Sequence, residues 1–118
     1  MLRIIIAGSR EFNDYERLKS ALDNYLFYNE KEVQIVSGGA RGADALGERY
    51  AKERNFDLKV FKADWLLHAR SAGVIRNTLM SDNADVLIAF WNGSSKGTAD
   101  MIKKARIKGL EVQIININ

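Results

Sequence analysis

Ser37-Gly38-Gly39-Ala40-Arg41-Gly42-Ala43-Asp44 joins an apolar segment, Val33 to Val36, to a segment with helical spacing. Three glycines within five residues let the backbone turn tightly and approach a ligand with no Cβ in the way. The N–H groups that open the following helix have no partners inside it, and the helix dipole adds positive potential there. Arg41 puts a forked cation in the loop, and Asp44 puts a carboxylate one turn away. The combination suits an anionic, hydroxyl-bearing ligand such as a nucleotide or sugar phosphate. A simpler role also stands open for Asp44, as a first-turn acid that complements the helix dipole.

Similar chemistry recurs along the chain. Gly8-Ser9-Arg10 follows the first apolar run, and Asn92-Gly93-Ser94-Ser95-Lys96-Gly97-Thr98 follows another. The second of these repeats the anion-cradle logic, although Thr98 also suits a helix N-cap. Trp91 precedes that loop and offers a ring for a base to stack on. Arg76 and Asn77 sit beside Ile75 and Leu79, close to the expected buried stripe of a helix. The expected ligand-binding set is Gly8, Ser9, Arg10, Ser37, Gly38, Gly39, Arg41, Gly42, Asp44, Arg76, Asn77, Trp91, Gly93, Gly97 and Thr98. Asp44, Asp100 and Arg76 are the candidates for catalysis.

The elements that carry these loops alternate regularly. Leu2 to Ala7 is an apolar run but for Arg3, as in a strand covered on both faces. Asn13 and Glu16 resemble a capping box, ahead of Leu18, Ala21, Leu22, Tyr25 and Leu26 at helical spacing. Val33 to Val36 is the second strand, and Ala43, Leu46, Gly47, Tyr50 and Ala51 form the stripe of the second helix. Leu58 to Ala63 has the mixed pattern of an edge strand. Ile75 and Leu79 mark a shorter third helix, and Asp85 to Phe90 a central strand. Thr98, Met101, Ile102 and Ala105 line a last helix, closed by Lys104, Arg106, Lys108 and Gly109. Glu111 to Ile117 is the fifth strand.

This alternation predicts a three-layer, Rossmann-like α/β fold: a five-stranded, mainly parallel sheet with helices on both faces. Ligands of such sheets bind beyond the carboxyl ends of the strands. The glycine-rich and polar loops all follow strands, so they gather at that end.

Several classes fall away. Neither glycine cluster fits GxGxxG, and Lys96 precedes Gly97 where a Walker A loop needs Gly-Lys-Ser/Thr. With no cysteine and a single histidine, His68, the chain offers no disulfide, thiol nucleophile or His cluster. At 118 residues, 47% hydrophobic and 28% charged, it reads as one globular domain, residues 1–118. A net charge of +3 is too small to argue for nucleic acid. The apolar N-terminus is too short to span a bilayer and lacks a signal-peptide cleavage region, so a cytoplasmic location without membrane association is expected.

Five segments in order carry a family resemblance: Gly8-Ser9-Arg10; Ser37 to Asp44; Lys62-Ala63-Asp64-Trp65; Gly73-x-x-Arg76-Asn77-x-x-Met80; and Gly97-Thr98-Ala99-Asp100-Met101. Together they resemble the YspA-type branch of the SLOG superfamily, whose other branches include the LOG phosphoribohydrolases and the DprA DNA-processing proteins. The resemblance runs from Ile4 to about Gly109. It implies a Rossmann-like domain that binds nucleotides or nucleotide-derived ligands, in some members as a sensor of NAD-derived signals. LOG enzymes pair Arg-Lys on a helix with PGGxGTxxE after the next strand. Here Asn77 replaces the Lys, and Met101 occupies the position of the catalytic Glu. A thioether can neither move a proton nor stabilise an oxocarbenium-like centre, which argues against the LOG reaction.

Three function classes follow. The first is a protein that senses or sequesters a nucleotide-derived ligand, ADP-ribose-like or a nucleoside phosphate. Its phosphates are expected at the two helix N-termini with Arg41 and Arg76 as clamps, and a ribose hydroxyl at Asp44. The second is a nucleotide-processing enzyme of phosphoribohydrolase type, with Asp44 or Asp100 as acid or base. The third is a DprA-like module for single-stranded DNA. No cofactor or protein-bound metal is expected, beyond a divalent cation arriving with the ligand's phosphates. A homo-oligomer is the expected assembly.

Overall fold

A computed structural model describes all 118 residues. Five parallel strands form one sheet in the order β3-β2-β1-β4-β5: β1 (Leu2–Gly8), β2 (Val33–Ser37), β3 (Asp57–Val60), β4 (Val86–Trp91) and β5 (Glu111–Asn116). Between them run α1 (Tyr15–Tyr25), α2 (Ala43–Glu53), the short α3 (Trp65–His68) with a single 3₁₀ turn at Ala69–Ser71, α4 (Ala72–Asp82) and α5 (Lys96–Ile107). The three-layer Rossmann-like fold expected from the alternation is the fold observed.

The apolar run of β1 is split between two cores by the two-residue period of a strand. Ile4 and Ile6 face a cluster with Leu18 and Leu22 of α1 and Tyr50 of α2. Ile5 and Ala7 face the opposite cluster with Met80 of α4 and Met101, Ile102 and Ala105 of α5. β1 and β4 are the central strands, and β3 and β5 the edges. A Cβ on Gly47 would lie 2.7 Å from the Ile6 Cβ, so the glycine lets α2 sit directly on β1.

Two local expectations are corrected. The α1 cap is Asp14, whose carboxylate accepts from the Arg17 N–H at 3.1 Å, one residue beyond Asn13. In α4 the buried face is Ala72, Asn77, Met80 and Ser81, whereas Ile75 and Leu79 lie on the outside with Val74. Apart from Met80, the inward face carries small and polar groups, because it packs on α5 and borders a polar cleft. α3 is too short to show a period, and it buries none of its side chains.

Candidate functional site

The chain leaves β1 towards β2 and β3, then returns to place β4 on the other side of β1. The β1 and β4 ends therefore form the switch point at which doubly wound sheets open a crevice. A cleft of about 370 Å³ lies there, lined from the loops after β1, β2 and β4 and from α4.

Close backbone approach builds it. Gly42 has φ +77°, and a Cβ on it would lie 2.4 Å from the Ser9 carbonyl oxygen. The first and second loops are thus pressed together, with the Ala43 N–H donating to that same carbonyl at 3.3 Å. Ser37 braces the second loop from below. Its hydroxyl donates to Glu48 at 2.7 Å and accepts from the Gly39 N–H at 3.1 Å.

Gly38 lies between the two principal charges. A Cβ there would be 2.9 Å from Asp44 Oδ2 and 3.1 Å from Arg76 Cζ. Asp44 is 6% exposed and accepts from the Ala40 N–H at 3.3 Å. Burial pushes its carboxyl up to about 6, with Glu48 adding to the rise while the Ala40 and Gly38 N–H groups and the Arg76 charge oppose it. Arg76 holds the glycine loop by donating from Nη1 to the Gly38 carbonyl at 3.0 Å.

Opposite them, α5 opens on Ser95, whose hydroxyl accepts from the Thr98 N–H at 3.4 Å. Lys96, Gly97 and Thr98 of its first turn line the cleft, and Gly97 has open space where a Cβ would be. Asn77 ties α4 to this turn, donating to the Gly97 carbonyl at 3.3 Å and to Asp100 Oδ2 at 2.9 Å. Ser9 is 3% exposed and lines the same cleft, and its hydroxyl has no hydrogen-bond partner. Buried polar groups in native proteins are nearly always satisfied, so this orphan hydroxyl is an exception beside the cleft.

Among the expected residues, Gly8, Ser9, Arg10, Asp44, Arg76, Asn77, Gly97 and Thr98 converge on the cleft. Gly38, Gly39 and Arg41 border a second hollow, of about 630 Å³, which shares Arg10, Ala40 and Arg76 with the first. Arg41 points outward there and pairs with Glu11 at 3.1 Å. Ser37 and Gly42 shape the loops from behind, and Gly93, at φ +84°, turns the chain outside both hollows.

Two candidates stand away from the cleft. Trp91 packs on the α5 side, donating from Nε1 to the Ser95 carbonyl at 3.1 Å, because strand alternation turns it opposite Phe90. Asp100 lies behind Asn77 and is also paired with Lys104 at 2.6 Å. Lys62, Trp65, Asn92 and Lys96 were absent from the expected set and line the hollows. Their signal was position, since all follow strand ends. Met101, where the LOG motif carries its glutamate, lies on the cleft wall and is 1% exposed. No cluster of three or more His, Asp or Glu side chains is arranged to hold a metal ion.

Residues 2–68 match the YspA, cpYpsA-related SLOG family. The chain belongs to that family. This SLOG domain is 36% identical to the Gene 61 protein of Mycobacterium phage D29 over 118 residues, covering 95% of this chain and 94% of that protein. In fold it is similar to DNA processing protein A (DprA) from Streptococcus pneumoniae, with a TM-score of 0.77 at 15% identity. That match covers all of this chain and 51% of DprA, so the SLOG domain spans about half of that protein's length. The X-ray structure of TM1055 is also similar, with a TM-score of 0.68 at 19% identity over 95% of this chain and 72% of the other. No helix is long and apolar enough to cross a membrane.

Proposed function

We propose that this SLOG domain binds a nucleotide or nucleotide-derived small molecule in the cleft between β1 and β4, as a sensor or sequestering protein. The carrying observation is the buried, unpartnered Ser9 hydroxyl in a cleft that also gathers Arg76, Asp44 and the first turn of α5. A phosphate fits at Gly97 and Thr98, where open space meets helix N–H groups and the Arg76 guanidinium stands opposite. Asp44 takes a ribose hydroxyl, and Ser9 supplies a further hydrogen bond.

One observation favours a second reading, a nucleotide-processing enzyme. Asp44 is buried against the cleft with its carboxyl raised to about 6, close to neutral pH, as suits a group that exchanges protons. It supports this role better than Asp100, which Asn77 and Lys104 already engage. Calorimetry against AMP, ADP-ribose and NAD, with each mixture checked for products, separates the two. Binding with the ligand recovered intact supports the sensor. Product formation that Asp44→Asn abolishes supports the enzyme, and no binding of any probe refutes both.

A further inference from the structure

The two edges of the sheet are finished differently. β3 is four residues long and exposes Asp57 and Lys59, and a short, charged edge resists further pairing. β5 is six residues long, with no Lys, Arg or Pro. Strand alternation fixes which of its backbone groups are free. The Glu111 N–H donates to the Asp85 carbonyl and the Ile117 N–H to the Trp91 carbonyl, so the odd-numbered residues hydrogen-bond to β4. The N–H and C=O groups of Val112, Ile114 and Asn116 therefore point off the open edge. One of them is engaged, the Asn116 carbonyl, which accepts from the Arg17 guanidinium of α1.

One face beside this edge is apolar. Val112 packs on the cluster under α5, and Ile114 on the same face is 41% exposed. α4 lies along the Gly97, Asp100 and Lys108 side of α5. The opposite side of α5, beside β5, carries a hollow of about 340 Å³ walled by Trp91, Ala99, Ile102 and Ile107. Ile107 is itself 73% exposed. A row of unpaired backbone groups beside an apolar ledge is a template for one more strand.

We propose that this strand is β5 of a second copy of the chain, running antiparallel about a two-fold axis through Ile114. Ile114 exchanges hydrogen bonds with Ile114 of the copy, and Val112 with Asn116, so this register pairs all three edge-facing residues. The Asn116 carbonyl keeps a second lone pair for this beside Arg17. Asn116 is paired in register with Trp91, so Val112 of the copy falls in line with both and covers the outer side of the indole. On the other face, Glu111 of the copy arrives opposite Ile117, next to the Arg17 guanidinium. Arg17 has no ion pair within its own chain, and the two-fold axis supplies this contact at both ends of the strand pair. A foreign extended segment would satisfy the backbone equally well, but a second copy also matches charge. Such an interface is isologous and closed, and it runs one continuous sheet through both copies.

Amide exchange on the wild-type domain, followed residue by residue by NMR at low and high protein concentration, tests the pairing without a variant. Gln113 and Ile115 are held by β4 at every concentration. Val112, Ile114 and Asn116 should gain about tenfold protection or more as sedimentation reports a dimer. Ile114→Pro removes an edge-facing donor and leaves the β4 ladder intact, and Ile114→Lys puts a charge at the axis. Each should remain folded by circular dichroism and raise the dimer dissociation constant about tenfold or more, as for two lost hydrogen bonds. Arg17→Glu should also weaken the dimer, and combining it with Glu111→Arg should restore it. A wild type that sediments as a monomer at NMR concentrations overturns the inference. So does a dimer in which the three amides stay fast, or one indifferent to both Ile114 variants. Either result moves the interface elsewhere, for instance to the exposed Leu66, Leu67, Ile75 and Leu79 of α3 and α4. A charge swap that restores nothing overturns the antiparallel register.

Discussion

Replacing Asp44 with asparagine should reverse part of the domain's pH–stability profile. The carboxyl stands at about 6 in the fold against an ordinary value of 3.8. Between those values the folded chain holds a proton that the unfolded chain has released. Stability is therefore greatest below the unfolded value and falls as pH rises through the folded one. The difference of about 2 units corresponds to about 3 kcal/mol at 1.36 kcal/mol per unit. The Gly38 and Ala40 N–H groups face the carboxyl, and Asn at position 44 keeps an oxygen for the Ala40 N–H. The Asn variant has no carboxyl to ionise and escapes the loss. Asp85, held low chiefly by its hydrogen bonds to Arg3, titrates alike in both proteins and cancels in the comparison. Urea unfolding of both proteins at pH 4 and 7.5 provides the assay. The wild type should lose about 2 kcal/mol relative to Asp44→Asn over that interval, because pH 4 already lies just above the unfolded value. Parallel profiles would refute the assignment of Asp44 as a carboxyl ionised at a cost.

Other perturbations test the packing that shapes the site. Gly42→Ala combines a φ of +77° with a Cβ 2.4 Å from the Ser9 carbonyl, and should cost about 3 kcal/mol from strain and overpacking together; chemical denaturation measures it. Arg76→Ala should weaken nucleotide binding by about 1.5–3 kcal/mol, the range for a charged hydrogen bond, as read by calorimetry. Asp85→Ala removes the paired hydrogen bonds from Arg3 that join the starts of β1 and β4. Both side chains are more than a third exposed, so solvent screening limits the cost to about 1 kcal/mol, and a thermal melt at neutral pH should fall by a few degrees.

The sheet was readable because its buried strands carry unbroken apolar runs, Ile4 to Ala7 and Val86 to Phe90 above all. Such runs have few ways to be satisfied other than burial on both faces. Helix faces were less so. Ile75 and Leu79 fit a helical stripe, yet the same helix has another face, of Ala72, Asn77, Met80 and Ser81, that turns inward. Spacing identifies a stripe without deciding which stripe meets the sheet when the buried one is small and polar. The gathering of the site loops was legible because all of them follow strands, and parallel strands put those loops at one end of the sheet. Side-chain direction within them was not. Arg41 sits among the glycines but points outward to Glu11, while Arg76, from a different helix, lies against Gly38. Trp91 followed the right strand and faced the wrong way by one residue of alternation. Asn13 and Asp14 are both good caps, and the choice of Asp14 lay in one residue of backbone geometry.

Ligand occupancy of the cleft between β1 and β4 is the claim on which the rest depends. Calorimetry of the wild-type domain with AMP, ADP-ribose and NAD, repeated with Ser9→Ala and Arg76→Ala, tests it most directly. Saturable binding with one ligand per cleft, weakened about tenfold or more by each substitution, is the predicted result. Absence of heat with every probe, or an affinity that neither substitution alters, would contradict it.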